Sequence, residues 1–181
     1  VASCTACQRR KRLTSSPAGL LQPLPCPSRP FEVVGIDLYG PLPSTAAGYS
    51  WIVTAVDHLT RYAETAPVIA GSASEVADFF LRTILLRHGA PRVLLSDRGK
   101  TFLSSMLADV LRASNTIHKT TSSYHPQTNG LTERFHRTLS DMISMYIQPD
   151  HRNWDTILPF VTFAYNTAVQ RTTGYSPFFL V

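Results

Sequence analysis

The feature that most constrains this chain is a change of pattern at Phe31. Between Phe31 and Val68, three short segments rich in valine, isoleucine and aromatic residues follow one another at turn-length spacing. From Ser72 onward, helix-period and strand-period segments alternate. Residues 31–38 read as a first strand ended by Gly40-Pro41, residues 50–57 as a second, and residues 61–68 as a weaker third. Connections this short favour an antiparallel meander, because parallel neighbours need a crossover. Ser72-Ala73-Ser74-Glu75 is a capping box opening an amphipathic helix (Val76, Phe79, Phe80, Thr83, Ile84) that stops at Gly89. Residues 92–97 then predict a strand, 102–113 a helix, 116–121 a short strand, 131–147 a long helix and 154–168 a last one. This order predicts an α/β domain with a mixed five-stranded sheet flanked by helices.

Ahead of that pattern, residues 13–30 carry Pro17, Pro23, Pro25, Pro27 and Pro30, a density that sustains neither a helix nor a central strand. They predict an extended linker between residues 1–12 and a domain at 31–181. A 44% share of hydrophobic residues beside 16% charged residues is globular rather than disordered. The apolar runs are too short for a transmembrane helix, and no signal peptide is visible. The chain begins on Val1 and ends on the apolar residues 178–181, so both ends are expected to be cuts in a longer polypeptide. Three cysteines make no disulfide framework and fit a reducing compartment. The net charge of +5 favours a polyanionic partner.

Two carboxylates sit at strand ends, Asp37 and Asp97, and a third, Glu133, in the first turn of the long helix. If the strand of Asp97 packs parallel to that of Asp37, both emerge at the carboxyl edge, where open α/β sheets place their ligands. Three converging carboxylates repel unless cations neutralise them, and hard divalent ions take oxygen ligands. Two such ions roughly 4 Å apart serve phosphoryl transfer. Taken singly, each carboxylate has a structural explanation too: a strand-end aspartate caps turns, and a first-turn glutamate suits the helix dipole. Asp57 also ends a strand. A hairpin loop centred near Ser44 would place Asp37 opposite Trp51 and Asp57 opposite Phe31, roughly 20 Å from Asp37 at the far edge of the sheet.

The surrounding motifs resemble those of retroviral and gypsy-type LTR-retrotransposon integrases, over essentially the whole chain. They are Cys4-x-x-Cys7-Gln8-x-x-Lys11, Gly35-Ile36-Asp37-Leu38-x-Gly40-Pro41-Leu42 and Ser96-Asp97-Arg98-Gly99-x-x-Phe102. Tyr124-His125-Pro126-Gln127-Thr128-Asn129-Gly130-x-x-Glu133-Arg134 and Thr173-Gly174-Tyr175-Ser176-Pro177-Phe178 complete them. Between Asp97 and Glu133 lie 35 residues, the spacing of the family's D,D-35-E triad. The resemblance implies a ribonuclease-H-like fold and a Mg²⁺- or Mn²⁺-dependent triad of Asp37, Asp97 and Glu133 that serves as catalytic and metal-binding set. It also implies 3′-end processing and strand transfer, element and target DNA as partners, a homo-oligomer, and work in the nucleus after transit through the cytoplasm. In the family's amino-terminal module, two upstream histidines join such cysteines on zinc. They are absent here, so residues 1–12 are a remnant of that module and zinc is not expected in this fragment. The alternatives are a catalytically silent or host-recruited relative that binds nucleic acid, and a ribonuclease-H-type nuclease.

In the polar loop of residues 122–130, Tyr124 offers a stacking plane and His125, Gln127 and Asn129 offer hydrogen-bonding groups. The resemblance makes Tyr124, His125 and Asn129 candidate DNA contacts. On the following helix, Leu131, Phe135, Leu139, Met142 and Tyr146 form the expected apolar stripe, with Glu133, His136, Arg137 and Ser140 on the opposite face. The remaining histidines, His58, His88, His118 and His151, read as structural or surface residues. Arg137, one turn from Glu133, is placed to meet a phosphate. Arg137→Ala should weaken DNA binding alike on all sequences and flatten its salt dependence by about one unit of slope. An unchanged slope in a salt titration would return Arg137 to an ordinary solvated helix face.

Overall fold

The structure, a computed structural model, describes Cys4 and residues 26–120, 130–147 and 151–181. Five strands form one sheet: β1 (Val33–Tyr39), β2 (Trp51–Asp57), β3 (Ala63–Val68), β4 (Val93–Ser96) and β5 (Ile117–Thr120). Their spatial order is β3-β2-β1-β4-β5. The meander β1-β2-β3 is antiparallel, whereas β4 and β5 join parallel to β1. Both parallel joins follow a helical crossover, as chain geometry demands. The sheet is therefore mixed, as the order of sequence patterns predicts.

Ser72 and Glu75 close the capping box of α1 (Ala73–Phe79), the glutamate accepting the Ser72 N–H at 2.8 Å. The helix expected as one piece contains a π-helical stretch (Phe80–Leu85) before its last turn, α2 (Leu86–His88), which Gly89 ends. Beyond β4, α3 (Ser105–Ala113) begins on Ser104, whose hydroxyl accepts the Leu107 N–H, so Phe102 lies before the helix. The long helix α4 (Gly130–Tyr146), α5 (Trp154–Thr167) and a short α6 (Pro177–Leu180) complete the chain.

Strand alternation divides the core in two. On one face Val34, Ile36, Val53 and Ala55 pack with Phe79, Phe80 and Ile84 and with Leu107 and Leu111 of α3. On the other, Ile52, Val56 and Ala63 meet Phe135, Leu139 and Ile143 of α4 and Trp154, Leu158 and Val161 of α5. The free edge at β3 is covered where Asn166 of α5 accepts the Ala63 N–H (2.9 Å) and donates to the Ala63 carbonyl (2.8 Å).

The β1–β2 register differs from the expected one. Asp37 lies opposite Thr54, not Trp51, and Asp57 lies opposite Val34, not Phe31. The hairpin turns later than Ser44: Thr45 N–H donates to the Tyr49 carbonyl, and the chain reverses through Gly48 at φ +87°. Asp57 thus stands three residues along the strand pair from Asp37, about 10 Å rather than 20 Å. Alternation still separates them. Asp57 shares the face of Val34, toward α1 and α3, whereas Asp37 and Thr54 face α4. Asp57 is fully buried and its Oδ2 accepts the Thr60 N–H (2.9 Å) and hydroxyl (2.7 Å), a turn-capping role.

Trp154 is 1% exposed, and its indole N–H donates to the Pro43 carbonyl at 2.8 Å, tying α5 to the loop that leaves β1. Trp154→Ala should therefore lower unfolding free energy by about 3–5 kcal/mol, read from a denaturant midpoint at unchanged slope. Trp154→Phe, which keeps most of the ring, should lose less.

Candidate active site

The parallel pairing of β1 with β4 aligns Val33 with Val93, Val34 with Leu94 and Gly35 with Leu95. Continued two residues further, the same register sets Asp97 level with Asp37. Strands are about 4.8 Å apart, and residues two apart share a face. Val33, Val93 and Leu95 are buried together just before this point, so the two aspartates take over where the apolar pairing stops. The parallel packing of β4 beside β1, the condition on which the sequence expectation for the two aspartates rested, is the one observed.

Both carboxylates also engage backbone. Asp97 Oδ1 accepts the Gly99 N–H at 2.8 Å, the small turn that the motif Asp97-Arg98-Gly99 permits. Asp37 Oδ1 accepts the Leu38 N–H at 2.8 Å, and its Oδ2 faces His136 Nδ1 at 4.0 Å, too far for a hydrogen bond. His136 Nε2 pairs with the Thr54 hydroxyl at 2.7 Å, and its ring leans on Tyr39 with centroids 5.2 Å apart. Burial holds the His136 imidazole well below its ordinary range, at about 4, so it faces Asp37 as a neutral ring and not as an ion-pair partner.

Glu133 is exposed on the first turn of α4, and Arg137 is exposed one turn further on. The expected faces of this helix need correction. Its buried side chains are Thr132, Phe135, Leu139 and Ile143, while Tyr146 is 67% exposed and Leu131 and Met142 are only partly buried. His136 points inward to the sheet instead of sharing the solvent face with Arg137. Apolarity alone misplaced the stripe, because the sheet beneath the first two turns offers polar Asp37 and Thr54 and bare Gly35. A methyl group added to Gly35 would stand 2.8 Å from Thr132 Oγ1 and 3.2 Å from His58 Nε2. A glycine inside a strand, two residues before Asp37, was the sequence signal of that close approach. His58 is held at about 4, first by burial and then by the charge of Arg61, with Asp57 opposing.

Carboxylate oxygens suit Mg²⁺, which is commonly bound by one or two carboxylates together with substrate phosphates. Asp37 and Asp97, level on adjacent strands, fit that requirement. Among the described residues, however, no three histidine, cysteine, aspartate or glutamate side chains stand close enough to hold one ion together. Tyr124, His125 and Asn129 lie outside the described residues, as do Cys7 and, apart from Cys4, the amino-terminal remnant and most of the linker.

Two neutral buried histidines make stability depend on pH in a defined direction. Unfolded, His58 and His136 take up protons near pH 6.5, whereas folded they do so only near 4. Between those values the unfolded chain binds more protons, so stability is fully present above 6.5 and is lost as pH falls toward 4. Each should remove on the order of 2 kcal/mol by pH 5. Urea unfolding at pH 7 and pH 5 should show that loss, and His136→Asn should reduce it by about half.

Residues 27–126, more than half of the chain, match the family described as integrase core domain. The chain is 32% identical over 155 residues to the retrovirus-related Pol polyprotein from transposon 412 of Drosophila melanogaster, covering 86% of this chain and 12% of that protein. It thus spans about an eighth of that polyprotein's length. Among solved structures, it resembles the HTLV-2 integrase catalytic core domain in complex with magnesium, in trimeric form. There the TM-score is 0.69 and the identity 18%, with 84% of this chain and 97% of that one covered. It also resembles the simian T-cell lymphotropic virus intasome in complex with PP2A regulatory subunit B56 gamma. The TM-score is 0.77 at 20% identity, covering 98% of this chain and 63% of that one. The mixed five-stranded sheet flanked by helices is the ribonuclease-H-like fold of those catalytic cores, and the chain belongs to the integrase core domain family, of retroelement origin.

Proposed function

We propose that this domain is a metal-dependent polynucleotidyl transferase that processes the 3′ ends of element DNA and joins them to target DNA. The proposal is supported by the parallel pairing of β1 with β4, whose register, continued past Gly35 and Leu95, would set Asp37 beside Asp97 on the sheet face that α4 covers. Around these carboxylates the exposed side chains are cationic: Arg98 and Lys100 after Asp97, and Arg134 and Arg137 beside Glu133. A negative centre with a positive rim is what a phosphodiester substrate needs, since the rim draws in the polyanion.

Asp37 and Asp97, with Glu133, would hold Mg²⁺ or Mn²⁺, and a pair of such ions would polarise the attacking oxygen and offset charge on the leaving one. The chain's own residues do the rest. Arg134 and Arg137 bind phosphate, the Thr54–His136 pair holds the wall beside Asp37, and Asp97 keeps its place through the Gly99 N–H. The attacking oxygen, from water in processing or from a DNA 3′-hydroxyl in joining, forms a new P–O bond as the scissile one breaks. No covalent bond to the enzyme is required.

We infer further that the domain works as a homo-oligomer. In support, α5 and α6 expose Phe160 (76%), Phe163, Phe178 and Phe179, a patch of the kind that marks protein contacts. The trimeric form and the intasome among the similar structures agree with this. One observation favours the silent nucleic-acid-binding alternative: among the described residues Asp37, Asp97 and Glu133 are not gathered as one three-carboxylate group.

Strand-transfer assays with labelled element-end oligonucleotides decide between the two. Asp37→Asn, Asp97→Asn and Glu133→Gln should each lower the rate by at least about a thousandfold in Mg²⁺ and in Mn²⁺, roughly 4 kcal/mol of barrier, while DNA binding persists. Asp57→Asn should retain activity, with any loss traceable to stability. A folded, DNA-binding parent chain with no joining activity would support the silent alternative.

A further inference from the structure

Four buried polar atoms among the described residues have no hydrogen-bond partner: Asp57 Oδ1, His58 Nε2, Arg61 Nε and Thr132 Oγ1. Three belong to the end of β2 and the turn that follows it, and the fourth to the first turn of α4. Two of them approach the same point over Gly35: a Cβ added there would stand 2.8 Å from Thr132 Oγ1 and 3.2 Å from His58 Nε2. Thr132 is wholly buried. A buried hydroxyl is expected to be hydrogen-bonded, and an imidazole nitrogen is a suitable partner whether it donates or accepts. His58 follows the last residue of β2, and its N–H donates to the Val33 carbonyl at 2.9 Å, so the ring hangs from the sheet itself.

A second gap lies on the very next residue. Glu133 follows Thr132, and Asp37, Asp97 and Glu133 are not gathered closely enough to hold one ion together. One turn further on, α4 is already tied to the sheet by the His136–Thr54 contact. The unmade polar contact and the third carboxylate of the set therefore share the first turn of one helix, whose second turn is tied to the sheet.

We propose that Gly35, His58 and Thr132 form a seat that positions Glu133: the Thr132 hydroxyl bonds His58 Nε2 across the bare Cα of Gly35, and the helix turn so docked carries Glu133 to the two aspartates. These are positioning residues, and the proposal rests on the catalytic reading of Glu133. Gly35 supplies the clearance, because any side chain there would hold Thr132 and His58 apart. Thr132 supplies a hydroxyl where valine, of the same shape, would supply only packing.

The test is Mn²⁺ binding to the 181-residue chain, followed by titration calorimetry, with the Mg²⁺ dependence of strand transfer and the affinity for DNA measured alongside. Thr132→Val and Gly35→Ala should each weaken Mn²⁺ binding by about tenfold and move the Mg²⁺ midpoint equally, with DNA affinity unchanged. Thr132→Ser should restore both. A folded Thr132→Val chain that binds Mn²⁺ as the parent does would overturn the seat, and so would a serine variant as weak as the valine one. If the valine variant does not fold, Gly35→Ala decides in its place. Glu133→Gln separates the two levels of the argument. Its loss of Mn²⁺ affinity with Thr132→Val unaffected removes the seat alone, whereas parental affinity in Glu133→Gln removes the catalytic reading of Glu133 and the seat with it.

Discussion

The parallel pairing between β1 and β4 is the contact on which the candidate site depends. Its register is constant over Val33, Val34 and Gly35, and continued two residues further it would set level two aspartates that stand sixty positions apart in sequence. Everything upstream serves that alignment. The meander makes β1 a central strand, and the helical crossover returns the chain so that β4 lies beside it in the same direction. The apolar pairing of Val33, Val93 and Leu95 then fixes the register from below, since a slip by one residue would turn Asp97 to the opposite face.

The second layer of control is the way α4 lies on this platform. Its later turns are held by apolar contacts of Phe135, Leu139 and Ile143, which resist sliding but specify rotation weakly. The polar contacts of its first two turns are directional. His136 reaches Thr54, the residue directly across β2 from Asp37, so one hydrogen bond sets the helix azimuth relative to the aspartate. Burial keeps that imidazole neutral, and it adds no charge beside a carboxylate group whose electrostatics are to be balanced by cations.

Local signals were the legible part of this fold. Ser72 and Glu75 announce a helix start whose geometry is local, and Gly89 announces its end. Short apolar runs of valine, isoleucine and leucine mark β1, β2 and β4 for the same reason. The strand register was not legible, because it depends on which residues of the Gly40–Ser50 connection reverse the chain; the turn from Thr45 to Gly48 does so, past the expected point at Ser44. The face of α4 was also misplaced. Counting apolar residues selects Tyr146, which is exposed, and overlooks Thr132 and His136, which face Gly35 and Asp37 of β1 and Thr54 of β2, far earlier in the chain. The spacing of Asp37, Asp97 and Glu133 was visible in sequence, whereas how closely the three gather depends on strand register and helix placement, which no spacing encodes.

The reciprocal amide contact between Asn166 and Ala63 has a consequence for how such a molecule can grow. A sheet lengthens by offering unpaired main-chain groups to a further strand, and at Ala63 both groups are already occupied by a side chain of the same molecule. The hydroxyl pair of Thr65 and Thr162, 2.6 Å apart, fastens α5 along the same border. Ribbon-like extension is thereby blocked on the β3 side, and copies of this domain that gather there must meet through helical surfaces, which close into discrete assemblies more readily than they propagate.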